Sequence, residues 1–298
     1  YDAGNATARR PNGAVCVAGS AGSVDCPTTP GAYDTTGPDE FIAKLSADGS
    51  KLKRSTFFGD DYNDTLSGIA VDRTGVTVAG RRSYGGGDPD DEYPPQDVIV
   101  AKLNKRLTGL VFSRVLGGGS SDAATAVATD ASGAVYLTGY AVDDSVNPFP
   151  TTPGAFDTTL DGAADAFVVK LSPLDGTMIY GTFLGGPGDD GATGISVDSA
   201  GRAVVVGWSL SATFPVTPDA LDGERDGGSD AFLTVLSPDG SALVFGTLLG
   251  GSSSDTAYGV ALDGTGAITV VGITNSPDFP QVGFGERVDG DVFVVKIR

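Results

Sequence analysis

The sequence LGGGSSDAATAVATDASGAVYLTGY, residues 116–140, is the unit from which most of the chain is built. It contains a Gly-Gly turn, an Asp, an alternating apolar run, a tight D-x-x-G turn and a second alternating run that ends in Gly. Two alternating runs joined by a tight turn predict a β-hairpin. Related copies lie at residues 58–81, 184–208 and 249–273, and a more diverged first copy lies at residues 2–20.

Each copy belongs to a repeat of about 60 residues that is predicted to form four strands, labelled A to D. In the third repeat these strands are expected at residues 125–129, 134–138, 166–171 and 178–184. Four short antiparallel strands form one blade of a β-propeller. The sequence therefore predicts an all-β, single-domain, five-bladed β-propeller with blades at approximately residues 1–60, 61–118, 119–186, 187–251 and 252–298.

The fifth repeat ends at strand C, so its blade is predicted to lack the outermost strand D. An uncovered edge strand exposes unpaired backbone N–H and C=O groups, which natural proteins usually pair or cover. We expect a protein strand from outside these 298 residues, or self-assembly, at this edge. A solvated edge, or one covered by the chain's own N-terminus, is the alternative. The predicted assembly edge consists of Val292, Phe293, Val294, Val295, Lys296 and Ile297.

The later copies share long motifs, which read G-G-x-x-x-D, G-I-A-V-D-x-x-G, F-P-T-T-P-G-A-F-D-T-T and D-A-F-V-V-K-L. Together they resemble the SBBP-type β-propeller repeat of bacterial secreted and surface proteins. The resemblance covers nearly the whole chain, and it implies an extracellular or cell-surface β-propeller without a shared catalytic site. The first repeat departs most, because Arg9 and Arg10 stand where other copies have an apolar residue and Asp. The second repeat has RRSYGGGDPDDEYPPQ in place of the F-P-T-T-P segment.

The chain is strongly acidic, with 38 Asp and Glu, 19 Lys and Arg, and a net charge of −19. This charge opposes binding to nucleic acid, and the composition predicts no basic patch for an anionic membrane. No apolar run approaches the roughly 18 residues of a membrane span. The N-terminal YDAGNATARR does not have the pattern of a signal peptide. We therefore expect no nucleic-acid partner and no insertion into a membrane.

Both cysteines, Cys16 and Cys26, lie in the first repeat. Cys26 stands at the position that Phe149, Phe214 and Phe279 occupy in later copies. If those phenylalanines fold back on their own strand, the same turn brings Cys26 close to Cys16. The sequence therefore predicts a disulfide, which would indicate an oxidising compartment, with two buried free thiols as the alternative.

Catalysis would depend on carboxylates, because the chain has no His. The most regular carboxylates recur from repeat to repeat, whereas a catalytic acid and base need different environments to separate their pKa values. We therefore predict that the turn residues Asp122, Asp190 and Asp255 accept backbone N–H bonds and that the protein is not an enzyme. A carbohydrate-active enzyme with an asymmetric pair of carboxylates is the alternative.

An acidic run in the second repeat is the first candidate for a metal site, because hard cations such as calcium prefer carboxylate and carbonyl oxygens. Asp143 and Asp144 in the third repeat form a thinner candidate. A solvated acidic loop is the alternative, and no cofactor other than calcium is suggested. No EF-hand pattern accompanies the acidic run, which consists of Asp88, Asp90, Asp91 and Glu92.

A Lys recurs five positions after the strand-C Asp, inside an apolar strand, at Lys44, Lys102, Lys170 and Lys296. The fourth repeat has Val235 at this position. A cation in an apolar strand is predicted to pair with a buried carboxylate of its own or the next blade. Structural pairing is therefore favoured over Schiff-base chemistry.

Two aromatic residues, Tyr140 and the only tryptophan, Trp208, follow the last Gly of strand B. If this position faces the surface with the long loops, both rings are candidates to stack on a pyranose, and packing beneath a loop is the alternative. Variable loops on a rigid scaffold are a usual place for binding. The sequence as a whole predicts a non-catalytic extracellular or cell-surface module for binding or structural interaction. A carbohydrate-binding lectin and a carbohydrate-active enzyme are the alternatives.

Overall fold

The computed structural model describes residues 2–10, 12–23, 25–37, 40–60, 62–84, 95–144, 146–280 and 290–298. Within these residues the chain forms nineteen strands and no helix. The strands make four sheets of four strands and one sheet of three. The described part of the chain therefore offers no helix that could cross a membrane.

Each sheet consists of consecutive strands of one repeat. The first contains β1 (Asp2–Arg9), β2 (Val15–Ala21), β3 (Glu40–Leu45) and β4 (Leu52–Phe58). The second contains β5 (Asn63–Val71), β6 (Gly75–Ser83), β7 (Gln96–Asn104) and β8 (Leu110–Leu116). The third contains β9 (Ala123–Thr129), β10 (Val135–Val142), β11 (Ala164–Leu171) and β12 (Met178–Leu184). The fourth contains β13 (Asp190–Val197), β14 (Ala203–Ser209), β15 (Asp230–Leu236) and β16 (Leu243–Leu249), and the fifth contains β17 (Asp255–Leu262), β18 (Ile268–Thr274) and β19 (Asp291–Ile297).

The strands of every sheet are hydrogen-bonded in chain order, so each sheet is an open meander of the kind that forms a propeller blade. The predicted all-β fold with five blades is confirmed. The three-stranded last blade is confirmed too, since β19 pairs with β18 alone among the described residues. In the third sheet, β12 begins and ends at the predicted residues, and β9 begins two residues before the predicted strand A.

Sheets pack on each other through alternate residues of their strands, because successive side chains of a strand point to opposite faces. The core between the first and second sheets contains Cys16, Ala18, Ile42, Leu66 and Val78. The core between the fourth and fifth sheets contains Val204, Val206, Leu233, Ala257 and Val270. In both pairs, the earlier sheet presents one face to the sheet that follows it, and the later sheet presents one face to the sheet before it.

Strand A of the first, second, fourth and fifth sheets contains a β-bulge at the same position of the repeat. In two sheets the side chain of the bulged residue bonds to the bulge of the following sheet. Asn5 Nδ2 donates to the carbonyl oxygen of Leu66 at 3.1 Å, and Thr193 Oγ1 donates to that of Ala257 at 2.5 Å. The extra residue bends strand A and directs this polar side chain toward the neighbouring sheet.

The chain divides into two compact units. The first consists of Tyr1–Val135, Asp144–Pro150 and Leu171–Thr177, and it contains the first two sheets. The second consists of Tyr136–Asp143, Thr151–Lys170 and Met178–Arg298, and it contains the last two sheets. The third sheet contributes strands to both units. A single domain over residues 1–298 stays a prediction.

Candidate functional site

The acidic run predicted to bind a metal, Asp88, Asp90, Asp91 and Glu92, lies outside the described residues. The second candidate, Asp143 and Asp144, lies within the described residues. Asp144 Oδ1 accepts the backbone N–H groups of Val146 and Asn147, so this carboxylate organises its own turn. In the described ranges, no three His, Cys, Asp or Glu side chains are grouped so that they could hold a metal ion. Calcium binding stays a prediction for the acidic run.

The recurrent turn carboxylates have the structural role that the sequence predicted. Each accepts the backbone N–H of the second Gly in the Gly-Gly turn four residues before it. The N···O distances are 2.7 Å for Asp122, 2.9 Å for Asp190 and 3.0 Å for Asp255. Two of these residues also accept a hydroxyl from the loop after strand B, that of Ser211 for Asp190 and that of Ser276 for Asp255.

Next to these turns lies a second set of buried carboxylates, at the start of strand C. Asp165 and Asp230 have no exposure to solvent, and each retains one oxygen, Oδ1, without a hydrogen-bond partner. The pKa of Asp165 is raised to about 7, mainly by burial and also by the neighbouring Asp190, whereas the hydrogen bond from the Asp161 backbone lowers it. Burial likewise raises the pKa of Asp230 to about 6, with a contribution from Asp255. In both places, the neighbouring turn carboxylate thus disfavours ionisation of the strand-C carboxyl group.

The first Gly of the Gly-Gly turn makes room for this carboxyl group. A Cβ on Gly185 would lie 2.2 Å from Asp165 Oδ1, and a Cβ on Gly250 would lie 2.3 Å from Asp230 Cγ. No larger residue fits in either position without moving the Asp. The motif D-A-F together with Gly-Gly therefore signals a close approach of backbone and carboxylate. Each motif is visible in the sequence, but their separation in the chain hides the contact between them.

The two aromatic candidates are half-buried and lie on different sheets, Tyr140 on β10 and Trp208 on β14. Trp208 is paired with Gly191 of the adjacent strand, and a Cβ on that glycine would lie 2.9 Å from the indole ring. The indole therefore packs against the Gly191 backbone of its own sheet. This contact accounts for Trp208 without a ligand, and sugar stacking stays a prediction for both residues.

The predicted disulfide is wrong, because Cys16 and Cys26 are both free thiols. Cys16 is buried on β2 opposite Ala8, near the end of β1. Cys26 follows a turn that is bonded to the other end of β1: its N–H donates to Ser23 O, and Ser23 N–H donates to Asp2 Oδ1. Ala8 and Asp2 are separated by roughly 20 Å of extended strand. The inference of an oxidising compartment loses this basis.

The recurrent Lys of strand C has a structural role in three repeats. Lys102 Nζ lies 2.7 Å from Asp72 Oδ2, and Lys296 Nζ lies 2.9 Å from Asp263 Oδ2. In both cases the carboxylate belongs to the A–B turn of the same sheet. Pairing with a buried carboxylate, as predicted, is confirmed for Lys102, whereas the side chain of Asp263 is 38% exposed. Lys170 instead lies 4.9 Å from the ring centroid of Tyr136. In the first repeat the Asp of this turn is replaced by Arg10.

Near Arg10, several basic side chains line a cleft of about 560 Å³ in the first unit. The composition did not predict this local cluster of cations, and the expectation that no basic patch serves an anionic membrane stays a prediction. Among the described residues that line the cleft, none is acidic. Six of the 19 basic residues of the chain lie here and define the basic cleft: Arg10, Lys44, Lys53, Arg54, Lys105 and Arg106.

The fifth sheet has one buried face and one exposed apolar face. Val271 is paired with Val294, and Ile273 with Val292, so these four residues share a face, here called the fifth-sheet face. Val292 is 74% exposed and Val294 is 66% exposed. The equivalent residues of the fourth sheet, Ala231 and Leu233, are completely buried. The other face of the fifth sheet, which includes Val270 and Phe293, is buried in the core shared with the fourth sheet.

No family model matches the chain. The assignment to the SBBP repeat type therefore stays a prediction. A curated relative, the regulatory protein FlaEY of Caulobacter vibrioides, is 28% identical over 227 residues. The match covers 69% of this chain and 23% of the relative, so the chain spans about a quarter of that protein's length.

Among solved structures, the hydrazine synthase of Kuenenia stuttgartiensis aligns over 99% of this chain and 63% of its own, with a TM-score of 0.52 and 11% identity. This similarity supports the β-propeller fold and, at such low identity, the fold alone. A GH43_1 enzyme from Xanthomonas citri aligns over 92% of this chain and 82% of its own, with a TM-score of 0.41 and 11% identity. That match gives no basis for assigning an activity.

Proposed function

We propose that this protein is a non-catalytic β-propeller interaction module that associates head to tail with a second copy of itself. In this proposal the fifth-sheet face of one copy packs on the first sheet of the next. The observation that carries it is the exposure of Val292 and Val294, whose equivalents in the fourth sheet are buried by a following sheet. An extracellular or cell-surface location is part of the proposal and rests on the resemblance of the repeats.

The first sheet offers a complementary surface. In the fifth sheet, Ala257, Val270 and Phe293 form the face that packs on the preceding sheet. The equivalent residues of the first sheet are Gly4, Val17 and Phe41, and these are exposed or half-buried. The first sheet therefore exposes the face that, in the fifth sheet, packs on the preceding sheet. In the proposal, this face of one copy covers the fifth-sheet face of another copy. A contact between two different surfaces of identical molecules is heterologous and can form chains.

The absence of catalysis is proposed from the burial of the unusual carboxylates. The groups with raised pKa values, Asp165 and Asp230, have no exposure to solvent. Each lies beside a second buried carboxylate, Asp190 or Asp255, and the same arrangement recurs in two repeats, as expected for a structural feature of the repeat. A substrate would have to enter the packed junction to reach them. These groups are better explained as parts of the sheet packing.

The test is sedimentation velocity over a range of protein concentrations. We expect the wild-type chain to associate reversibly and Val294→Lys to weaken association at least about tenfold, because a charge cannot be buried unpaired in an apolar contact. Ile179→Lys is the matched control, since Ile179 is 51% exposed on β12 and lies outside the fifth-sheet face. A wild-type chain that is monomeric at about 100 μM would contradict the proposal.

Hydrogen exchange of β19 separates packing on the face from addition of a strand at the edge. Packing on the fifth-sheet face leaves the free edge amides of β19 exchanging as fast in the assembly as in the monomer. Strand addition protects them, because the added strand accepts their hydrogen bonds. Protection of these amides on association, combined with unchanged association of Val294→Lys, would replace the face contact by the edge contact that the sequence predicted.

A further inference from the structure

The first repeat differs from the others in the charge at its A–B turn. In the second and fifth repeats, the strand-C Lys forms an ion pair with the Asp of this turn, Lys102 with Asp72 and Lys296 with Asp263. In the first repeat that Asp is replaced by Arg10, and the strand-C Lys is Lys44. The repeat has therefore exchanged an attractive pair for two like charges.

No carboxylate of the described residues replaces the missing one. Arg10 Nη2 donates to the backbone carbonyl of Asp72 at 3.1 Å, and none of the six cations of the basic cleft has an ion-pair partner among the described residues. Burial lowers the pKa of the Lys44 ammonium, and Arg10 and Arg54 lower it further. The effect of the two arginines reflects the positive surroundings of Lys44.

We infer that the basic cleft binds a small polyvalent oxyanion, a polycarboxylate or a polyphosphate, that takes the place of the Asp that the first repeat lacks. One oxyanion group would lie between Arg10 and Lys44, as the Asp72 carboxylate lies against Lys102. Guanidinium groups suit both carboxylate and phosphate, because their paired N–H donors match two oxygens. The exposed cations Lys53, Arg54, Lys105 and Arg106 at the rim would hold the further charges.

The size and setting of the cleft restrict the ligand. A volume of about 560 Å³ is that of a small-molecule site. No aromatic side chain is among the described lining residues, so recognition would rest on charge and not on ring stacking. The net charge of −19 on the whole chain repels long polyanions. A compact anion with several charges can use the local positive field without approaching the rest of the surface. This site does not depend on the proposed self-association.

The experiment measures binding of two probe anions, tripolyphosphate and citrate, by isothermal titration calorimetry at constant ionic strength set with sodium chloride. Thermal stability is measured in parallel, because an anion that binds the folded chain raises its melting temperature. We expect at least one probe to bind. The stronger of the two identifies the ligand chemistry as phosphate or carboxylate. If neither probe binds at about 10 mM, the inference is wrong.

Three variants make the test specific. Arg10→Asp introduces the ion pair found in the second and fifth repeats, so it should abolish anion binding and raise the melting temperature measured without anion. Lys44→Gln should weaken binding at least about tenfold. Arg81→Gln is the control, since it removes the same charge from an exposed position at the opposite end of β6 from Asp72. Equal anion binding by the wild type, Arg10→Asp and Arg81→Gln would overturn the inference.

Discussion

Asp165 is completely buried and lies near a second carboxylate, Asp190. Both features raise its pKa, so its protonation is coupled to folding. Its pKa is about 7 in the folded protein, against an ordinary value of 3.8. Between those values the folded chain holds a proton that the unfolded chain releases, so the stabilisation is complete at low pH and is lost as the pH rises through 7. Asp230, with a pKa of about 6, acts in the same direction.

We therefore predict that the free energy of unfolding falls as the pH rises from about 4 to about 7. Asp165→Asn should flatten this dependence and stabilise the protein at pH 7 by about 1–3 kcal/mol, because the amide cannot ionise. Urea unfolding at several pH values provides the measurement. Asp175→Asn is the control, since the pKa of this exposed carboxyl is lowered to about 2 by hydrogen bonds from Ser172 and Thr177 and it stays ionised across the window. A pH profile that Asp165→Asn leaves unchanged would refute the assignment.

A turn carboxylate can be tested independently at Asp255, which accepts the Gly251 N–H at 3.0 Å and the Ser276 hydroxyl at 2.7 Å. Asp255→Ala should lower the free energy of unfolding by about 1–3 kcal/mol, because it leaves a buried backbone donor without an acceptor. Asp255→Asn keeps one acceptor oxygen and should retain part of the lost stability. Chemical denaturation distinguishes the variants, and an alanine variant as stable as the wild type would show that the bond has no structural role.

For single residues, local hydrogen bonds could be predicted from the sequence, whereas the distance between two residues in different elements could not. The turn Asp residues could be assigned because the Asp of a G-x-x-x-D turn accepts a backbone N–H group that is close in sequence. The Cys16–Cys26 disulfide could not be judged in the same way, since it depends on which end of β1 each residue approaches. The repeat pattern showed which loop contains Cys26. It did not show that this loop is bonded to Asp2, at the end of β1 far from Cys16.

At the scale of the strand, Lys102 shows what a charge inside an apolar element requires. Its side chain is 1% exposed, and it donates to both Asp72 Oδ2 and Gly133 O. Lys102→Met should destabilise the protein by about 3–5 kcal/mol, because it leaves the partner carboxylate without its cation. Lys296→Met removes the equivalent residue where the side chain is 47% exposed, and it should have little effect. Equal melting temperatures for the two variants would contradict this difference.

The strands were predictable because alternation of apolar and polar residues is a local property, as the bounds of β12 illustrate. The bulges were not predicted. A bulge adds one residue to a strand without changing its apolar pattern, and its reason lies in the neighbouring sheet, where Ala257 O receives the Thr193 hydroxyl. The basic cleft was not predicted for the same reason. The sequence shows that Arg10 replaces an Asp, but Arg10 and Lys105 line one cleft only because two sheets pack together.

For the whole molecule, charge and apolar surface act in opposite directions on self-association. Each copy has a net charge of −19, so two copies repel each other, whereas the fifth-sheet face contributes apolar contacts. Salt screens the repulsion and does not weaken apolar burial. We predict that sodium chloride strengthens association between about 50 and 500 mM, as measured by sedimentation velocity. Association that weakens over this range would indicate a contact held by opposite charges.

Trp208 has a further consequence, which concerns how the protein can be observed. It is the only tryptophan of the chain, and it packs against Gly191 within the second compact unit. Its fluorescence therefore reports on one unit, whereas circular dichroism of the backbone reports on strands of both. Coincident denaturation curves from the two signals would mean that the units unfold as one cooperative system, and separated curves would mean that the second unit melts on its own. The sequence thus carries a native spectroscopic probe of cooperativity between the two parts of a repeat protein.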